Sequence, residues 1–415
     1  MSSVWHPSPL LLGIFLLTYL GIAVGQVPGL KLNRVGIALL GAIAMAVFSG
    51  NSTAQMVAWI NWPTILLLFG FFVLSAQLCL SGFYGQVAKN LAQGRKSPAH
   101  FLLVLMATTA GLSAFVNHDI VCYVFTPVVG LALARRQLNP VPFLVGLALA
   151  SNIGAATTLI GNAQGILIGE TAHLSFRRYL LWSIVPVVVA LAAAFAYVVR
   201  SLPKWPAPKL VAEGEPPAAL IYPFNRSHTL KGLIIFAVVV ALCFTSLPKE
   251  LVVLVAAGIH LASRKFRTED LLGLVDWSLL LLFMALFVIT GAFQATGYAD
   301  QAVAWLESVG FSPARPVNET LLTAGATAVM NNAPAVMLLL KIVPLTHAAA
   351  ASILAMANSF AGSVFLSASV SNLIVVQQAR RYGIVIGFRD FARLGVPVAL
   401  LSLSVLLLWT ALGGS

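Results

Sequence analysis

Charge is what this 415-residue chain has least of: Asp, Glu, Lys and Arg make up 9% of it, against roughly 25% in an ordinary soluble domain. With 60% hydrophobic residues and a mean hydropathy of +0.95, the chain lacks the material for a water-facing surface of the usual kind. Cysteine is scarce too. Cys79, Cys122 and Cys243 each sit in an apolar run, where a thiol behaves as a small hydrophobe, so neither a disulfide nor a thiolate metal site is expected. No two of the seven histidines stand in a His-x-x-x-His pair, and no Gly-x-Ser-x-Gly elbow with a paired base occurs. Neither enzymatic activity nor an organic cofactor is expected.

What the chain has in abundance is apolar length. Ten crossings are predicted, at about 8–25, 34–50, 62–83, 139–169, 177–200, 229–246, 250–263, 276–297, 348–378 and 395–411, and apolar runs of about 17 to 25 residues recur that are long enough to span a hydrocarbon core of about 30 Å as a helix. The first run has no preceding Lys or Arg and no evident cleavage pattern, so it reads as a retained helix rather than a secretory signal. The formal charge of +12 comes from Lys and Arg in short loops, which is membrane topology and not nucleic-acid binding. The lipid bilayer is the expected partner, and a multi-pass protein of the inner (plasma) membrane the expected setting.

Two further apolar stretches, about 99–136 and 318–345, carry polar clusters in their middles, Asn117-His118-Asp119 and Asn331-Asn332, which a lipid-facing helix would hold only at a cost of several kcal/mol. Lys89, Arg95 and Lys96 precede the first and Arg135 and Arg136 follow it, so both its ends want the cytoplasmic side. It therefore reads as a re-entrant hairpin. The remaining loop charges then sort with both termini outside and the second hairpin entering from the outer face.

Trp62 recurs as Trp277 and Gly82 as Gly297, both at an offset of 215, and Asn117 recurs as Asn331 at 214. Each half holds five crossings, an odd number, so the second must be inserted upside down relative to the first. The expected architecture is an all-α polytopic membrane protein of two inverted-topology repeats. Each repeat has five transmembrane helices, one re-entrant hairpin and a helix broken at the midplane. The first repeat covers residues 1–200 and the second 229–415, joined by a Pro-rich cytoplasmic linker at 201–228.

The polar residues at these interruptions are the candidate site. At the first tip, free backbone amides at the start of the second arm favour an anion, or the Asp119 side chain as a cap. Asp119 and His118 are the titratable pair for proton coupling. Capping by Asn117 and Asp119 alone is the simpler reading, but it leaves His118 unexplained. The stretch from Ser151 to Gly165 holds Asn152, Gly154, Gly161, Asn162 and Gln164, and reads as a broken helix whose freed carbonyls could coordinate Na⁺. Close packing of small residues is the other reading.

The second half repeats this with Asn331 and Asn332 at the tip, then Asn358, Ser359, Gly362, Ser369 and Asn372 in the second broken crossing. Substrate contacts are expected from Asn117, His118, Asp119, Asn152, Asn331, Asn332, Asn358 and Ser359. Coupling-ion contacts are expected from Asn117, Ser151, Gly154, Gly161, Asn162, Asn331, Gly362, Ser369 and Asn372. Lys341 either snorkels to the outer interface or acts on substrate or proton.

Through these motifs the chain resembles the ion transporter superfamily, which includes divalent anion/sodium symporters, citrate transporters, arsenite permeases and one group of sodium/proton antiporters. The resemblance covers nearly the whole chain, with Gly161-Asn162-Ala163-Gln164-Gly165 similar to the turn of the family's broken helix. Where the symporters carry Ser-Asn-Thr at the first tip, this chain has Asn117-His118-Asp119, a departure that points toward the arsenite permease and anion permease branches. The resemblance implies an elevator-type secondary transporter, a homodimer, moving a small anion with H⁺ or Na⁺. Sodium/proton antiport and arsenite or antimonite efflux are the alternatives within the same fold.

Overall fold

Every described residue of the computed structural model that belongs to regular structure is helical; the description covers residues 8–25, 29, 31–93, 97–202, 222–345 and 349–413. Most of the 201–228 linker, residues 203–221, lies outside it, as do Arg95, Lys96, His6 and His347. The chain is an all-α polytopic membrane protein with twenty α-helices among the described residues. The first ten are α1 (Pro9–Val24), α2 (Arg34–Phe48), α3 (Thr53–Trp59), α4 (Trp62–Leu80), α5 (Phe83–Gln93), α6 (Pro98–Ser113), α7 (His118–Arg135), α8 (Val141–Ala155), α9 (Ala163–Thr171) and α10 (Phe176–Ser201). The second ten are α11 (Arg226–Leu242), α12 (Lys249–Leu261), α13 (Thr268–Gly273), α14 (Trp277–Ala295), α15 (Tyr298–Ser308), α16 (Pro316–Met330), α17 (Asn332–Ile342), α18 (Ala350–Ala361), α19 (Val370–Arg380) and α20 (Phe388–Ala411).

Local chemistry sets the ends of these helices. Ser8, Asn33, Ser97 and Asn225 each accept a backbone N–H of the following turn, and Pro9 and Pro98 occupy first-turn positions where a missing amide costs nothing. Asn61 caps α4 and Asp276 caps α14 in the same way, 215 positions apart. Past the ends of those two helices, Gly82 (φ 74°) and Gly297 (φ 77°) take the left-handed conformation that glycine alone enters freely.

Two features depart from the apolar pattern. The last crossing starts at Phe388 rather than near 395, because Asp390 Oδ2 accepts the Gly387 N–H at 3.0 Å and closes a cap around a charged first turn. The short helices α3, α5, α13 and α15 flank the long ones where no apolar run announced them.

The halves interlock. α4 packs on α12 and α14 on α2, so each half lends a helix to the other, and α10 packs on α20. α4 and α14, at 19 residues each, are about 28 Å long, close to the thickness of a hydrocarbon core. α6 lies along α8, where a Cβ on Gly154 would fall 2.4 Å from Ala110 Cα. α16 lies along α18 in the second half, and α7 crosses to pack on α19. The breaks at 114–117, 156–162, 331 and 362–369 thereby come together inside the bundle.

Candidate functional site

Four helices begin at one cavity. Its lining includes His118, the first residue of α7; Ala163 and Gln164, which open α9; Asn332, the first residue of α17; and Ser369 and Val370, which open α19. Each helix directs the positive end of its dipole at its start, so four such ends face one space, although side chains already cap one first-turn amide of α7 (Asp119 N–H to Asn117 Oδ1) and one of α9 (Gly165 N–H to Asn162 Oδ1 at 2.6 Å). The described lining contains no Lys or Arg; Asp119 is its one carboxylate. The far wall is apolar, made by Leu68, Phe71 and Phe72 of α4, Phe236 of α11 and Leu279 of α14.

At the first tip Asn117 Oδ1 accepts the Asp119 N–H at 2.8 Å, so Asn117 is the cap and Asp119 is free for other work. The Ser371 hydroxyl donates to Asp119 Oδ1 at 2.5 Å. His118 Nδ1 lies 3.2 Å from the Gly161 carbonyl, which can only accept, so a hydrogen bond between them requires the tautomer with its proton on Nδ1. Its Nε2 then points toward Asp119 Oδ1 at 3.6 Å, and a second proton on the ring would complete an ion pair. Asn117 and Asp119 also line a second cavity, with Cys79, Tyr123, Tyr222 and Asp276 on its wall. The tip is thus a partition between two spaces.

Not every residue of the expected site faces the cavity. Asn117, His118, Asp119, Gly161, Asn162, Asn332 and Ser369 do. Behind them, Asn152 Nδ2 donates to Asn372 Oδ1 at 2.8 Å, and Asn372 Nδ2 donates to the Gly362 and Phe365 carbonyls at 2.7 and 2.9 Å. Asn162 Nδ2 donates to the Ser359 hydroxyl at 2.9 Å, Asn358 Nδ2 to Thr327 Oγ1 at 2.8 Å, and Asn331 Nδ2 to the Ser367 carbonyl at 3.0 Å. The Ser151 hydroxyl lies between Ser113 Oγ at 3.4 Å and the His118 carbonyl at 3.5 Å. Gly154 is pressed on Ala110, and a Cβ on Gly362 would meet the Asn332 amide at 3.0 Å. These groups brace the breaks and join the two halves. Lys341 lies elsewhere, on a surface cavity with Asp300 and Glu307.

The two breaks differ in what they leave open. In the first, freed carbonyls are already taken: Tyr179 Oη donates to the Ala156 carbonyl at 2.9 Å, Ser183 Oγ to that of Thr157 at 2.6 Å, and Thr158 Oγ1 to that of Ala114. In the second, the buried oxygens Asn332 Oδ1, Asn358 Oδ1, Ser363 Oγ and Ser369 Oγ have no protein hydrogen-bond partner. Among the described residues Gln164 Oε1 of α9 is also open and lines the cavity, so a hard cation such as Na⁺ would find oxygen ligands mostly, but not solely, in the second half.

Sequence reasoning singled out neither Ser371 as the partner of Asp119 nor the aromatic wall. It also overlooked Glu319, the one fully buried carboxylate among the described residues. The available signal was an acidic residue at the edge of an apolar stretch, which looks like an ordinary first-turn partner of the helix dipole.

Comparison with known proteins gives the family and the fold. A family model described as citrate transporter matches residues 19–361. An uncharacterized transporter of Mycobacterium tuberculosis is 30% identical over 376 residues, spanning 85% of this chain and 87% of that protein. The magnetosome protein MamN of Magnetospirillum gryphiswaldense is 29% identical over 69% of this chain and 68% of its own length. The silicon efflux transporter LSI3 of rice is 34% identical over 40% of this chain and 34% of its own. Among solved structures, the YdaH transporter of Alcanivorax borkumensis has a similar fold, with a TM-score of 0.58 at 16% identity over 99% of this chain and 98% of that one. Because the family match runs through both tips and the first break, the chain belongs to the citrate transporter family, a branch of the ion transporter superfamily, and is a membrane transporter.

Proposed function

We propose that the chain is a secondary active transporter of a small anion, coupled to H⁺ or Na⁺. The observation that carries this reading is the convergence of four helix starts on one cavity, because backbone amides and dipole ends aimed at a common point form a ready anion site. Asn117, His118, Asp119, Asn332 and Ser369 would hold the substrate. Asp119 with His118 would carry a proton, and the open oxygens around Asn332 and Asn358 would take Na⁺.

In this reading residues 1–200 and 229–415 are inverted repeats in the inner membrane with both termini outside, and the chain works as a homodimer. α6–α7 dips in from the cytoplasm and α16–α17 from the outer face. The hairpins and broken helices slide as one body along the wall of α4, α11 and α14, exposing the cavity to each side in turn.

A second reading is efflux of an uncharged hydroxylated acid such as arsenite or antimonite. It is favoured by a lining with Asp119 but neither Lys nor Arg, and by the silicon efflux activity in the name of one relative.

Purified protein in liposomes decides among these. Labelled citrate is expected to accumulate under an imposed proton or sodium gradient and to stop doing so in Asp119→Asn. Movement of arsenite without citrate favours the second reading. Proton flux driven by Na⁺ alone, with no anion present, would make the protein a sodium/proton antiporter. If neither solute moves under either gradient, the anion-transport reading is wrong.

A further inference from the structure

Asp276 stands one residue before α14 and caps it, its Oδ1 accepting the Leu279 N–H at 2.9 Å. At the 215-residue offset its mate is Asn61, whose Oδ1 accepts the Thr64 N–H of α4 at 3.1 Å. Asparagine and aspartate serve about equally well as caps, so capping asks for an oxygen at this place and not for a charge. An acidic cap also gains from the dipole of its helix, but the first half does without that gain.

What separates the two residues is where they lie. Asn61 lines neither the central cavity nor the second one beyond the tip, whereas Asp276 shares the second cavity with Asp119. Its helix belongs to the wall: Leu279, about 4.5 Å further along the axis, lines the central cavity. Asp276 therefore marks the edge of the wall on the far side of the tip.

The second cavity has a volume of about 300 Å³ against about 30 Å³ for the central one, so an ion can keep much of its water in the second and must shed most of it in the first. The described lining of the larger space holds two carboxylates, Asp119 and Asp276, and no Lys or Arg. Arg267, the nearest basic residue along the chain, is exposed and pairs with Glu269 Oε2 at 2.5 Å. The charges of Asp119 and Asp276 repel each other. A cation between them relieves that repulsion and an anion adds to it.

We propose that Asp276 sets which charge enters the second cavity. With Asp119 it makes the space electronegative, so cations gather on this side of the tip and free anions are turned back. The field acts on hydrated ions, which makes Asp276 a residue of charge specificity and not a ligand. As a step of transport this rests on the reading of the protein as a coupled transporter: the coupling cation reaches Asp119 through this cavity, and an anion crosses it only with its cation or after taking up a proton. The charge selection itself is a property of the chain without solute.

Two thiol reagents of similar size and opposite charge, 2-(trimethylammonio)ethyl and 2-sulfonatoethyl methanethiosulfonate, test it on the full chain in nanodiscs with no solute present. The first reporter is Cys79, which lines the cavity, with Cys122 and Cys243 replaced by alanine. The second is Gly273→Cys in a chain whose native cysteines are all alanine: Gly273 is exposed, lines the same cavity and has nothing within 4 Å of an added Cβ. The cation-to-anion rate ratio, taken relative to that of a small free thiol, is expected to exceed one and to fall by about tenfold in Asp276→Asn. Asp276→Ser, which keeps a capping oxygen, is expected to do the same, and Asp276→Glu to keep the wild-type ratio. Asn61→Asp adds a carboxylate at the matched place outside the cavity and is expected to leave the ratio unchanged. Equal relative rates in the wild-type protein, no reaction at either reporter, an unchanged ratio in the folded Asn and Ser variants, or a comparable rise from Asn61→Asp overturns the proposal. A protein that moves no citrate or arsenite in liposomes yet gives the expected ratios would sink the transport reading and leave the charge selection standing; transport with a flat ratio would do the reverse.

Discussion

Asp119 at the tip of the first hairpin and Ser371 near the start of α19 are 252 positions apart in the chain, and the Ser371 hydroxyl donates to Asp119 Oδ1 at 2.5 Å. One hydrogen bond thus ties the only carboxylate of the described cavity lining to the opposite half of the molecule. A hydrogen bond to an ionised partner contributes about 1.5–3 kcal/mol. Ser371→Ala is therefore expected to weaken binding of whichever solute the wild-type protein moves by about tenfold or more. Ser371→Thr should retain most of it, since the hydroxyl remains. Saturation binding to the purified protein measures both, and equal affinity in wild type and alanine variant would remove Asp119 from the site.

Asn152 and Asn372 form a second link between the halves, amide to amide at 2.8 Å, with both residues buried. Truncating Asn152 leaves Asn372 Oδ1 without its donor, at a cost of about 1–3 kcal/mol. Asn152→Ala is expected to lower the thermal unfolding midpoint of detergent-purified protein while still binding solute at saturating concentration. A variant with unchanged stability and no binding would mean that Asn152 contacts the solute itself.

That distinction marks how far the chain could be read from its residues. The helices, the two tips and the two breaks were legible because polar residues in the middle of an apolar run are expensive and must have a reason. Which asparagine faces the cavity was not legible: Asn331 takes a φ of 79°, and this turn of the backbone directs its amide to the Ser367 carbonyl and leaves Asn332 at the cavity. Nor could a brace be told from a ligand, because Asn152, Asn162, Asn358 and Asn372 have the right chemistry for either and direct their amides largely to one another and to nearby carbonyls and hydroxyls. Phe71, Phe72 and Phe236 gave no signal, since an aromatic residue in an apolar run looks the same facing lipid or facing a cavity.

Gly154 and Gly111 separate packing from permissiveness. A Cβ on Gly154 would meet Ala110 Cα at 2.4 Å and the Ala110 carbonyl oxygen at 2.5 Å, backbone atoms that cannot rotate away. Nothing lies within 4 Å of a Cβ on Gly111, one residue further along α6. Gly154→Ala is expected to force α6 and α8 apart, costing about 1–3 kcal/mol and lowering the yield of folded protein, whereas Gly111→Ala should match wild type or exceed it slightly. Size-exclusion profiles and thermal midpoints of the two variants check this, and equal behaviour would mean that the seam is looser than it looks.

Lys341 is expected to be dispensable for transport. It lines a surface cavity with Asp300 and Glu307 and has no place at the helix starts that frame the central one. A substitution away from the site changes the free energy by about 0.5 kcal/mol or less, so Lys341→Gln should leave the transport rate within about twofold of wild type. A loss approaching that of Asp119→Asn would return Lys341 to the list of substrate or proton groups.

The elevator reading makes a sharper demand on Glu170 and Lys249. Lys249 Nζ, in the first turn of α12, lies 3.3 Å from Glu170 Oε1, near the end of α9. α9 belongs with the broken helices that would move, while α12 packs on α4, which would stay. A fixed tether across this pair is compatible with hairpins opening in place but not with a body sliding past a wall. Cysteines at both positions, joined by a short cleavable bifunctional reagent, are therefore expected to stop transport and to release it when the tether is cut. Cys243 lines the same cavity as both residues and must be replaced first, so that the reagent has one pair to join. Undiminished transport by the tethered protein would mean that α9 and α12 keep their places through the cycle. Access to Asp119 would then have to alternate through the tips alone, with the partition it forms between its two cavities as the moving part.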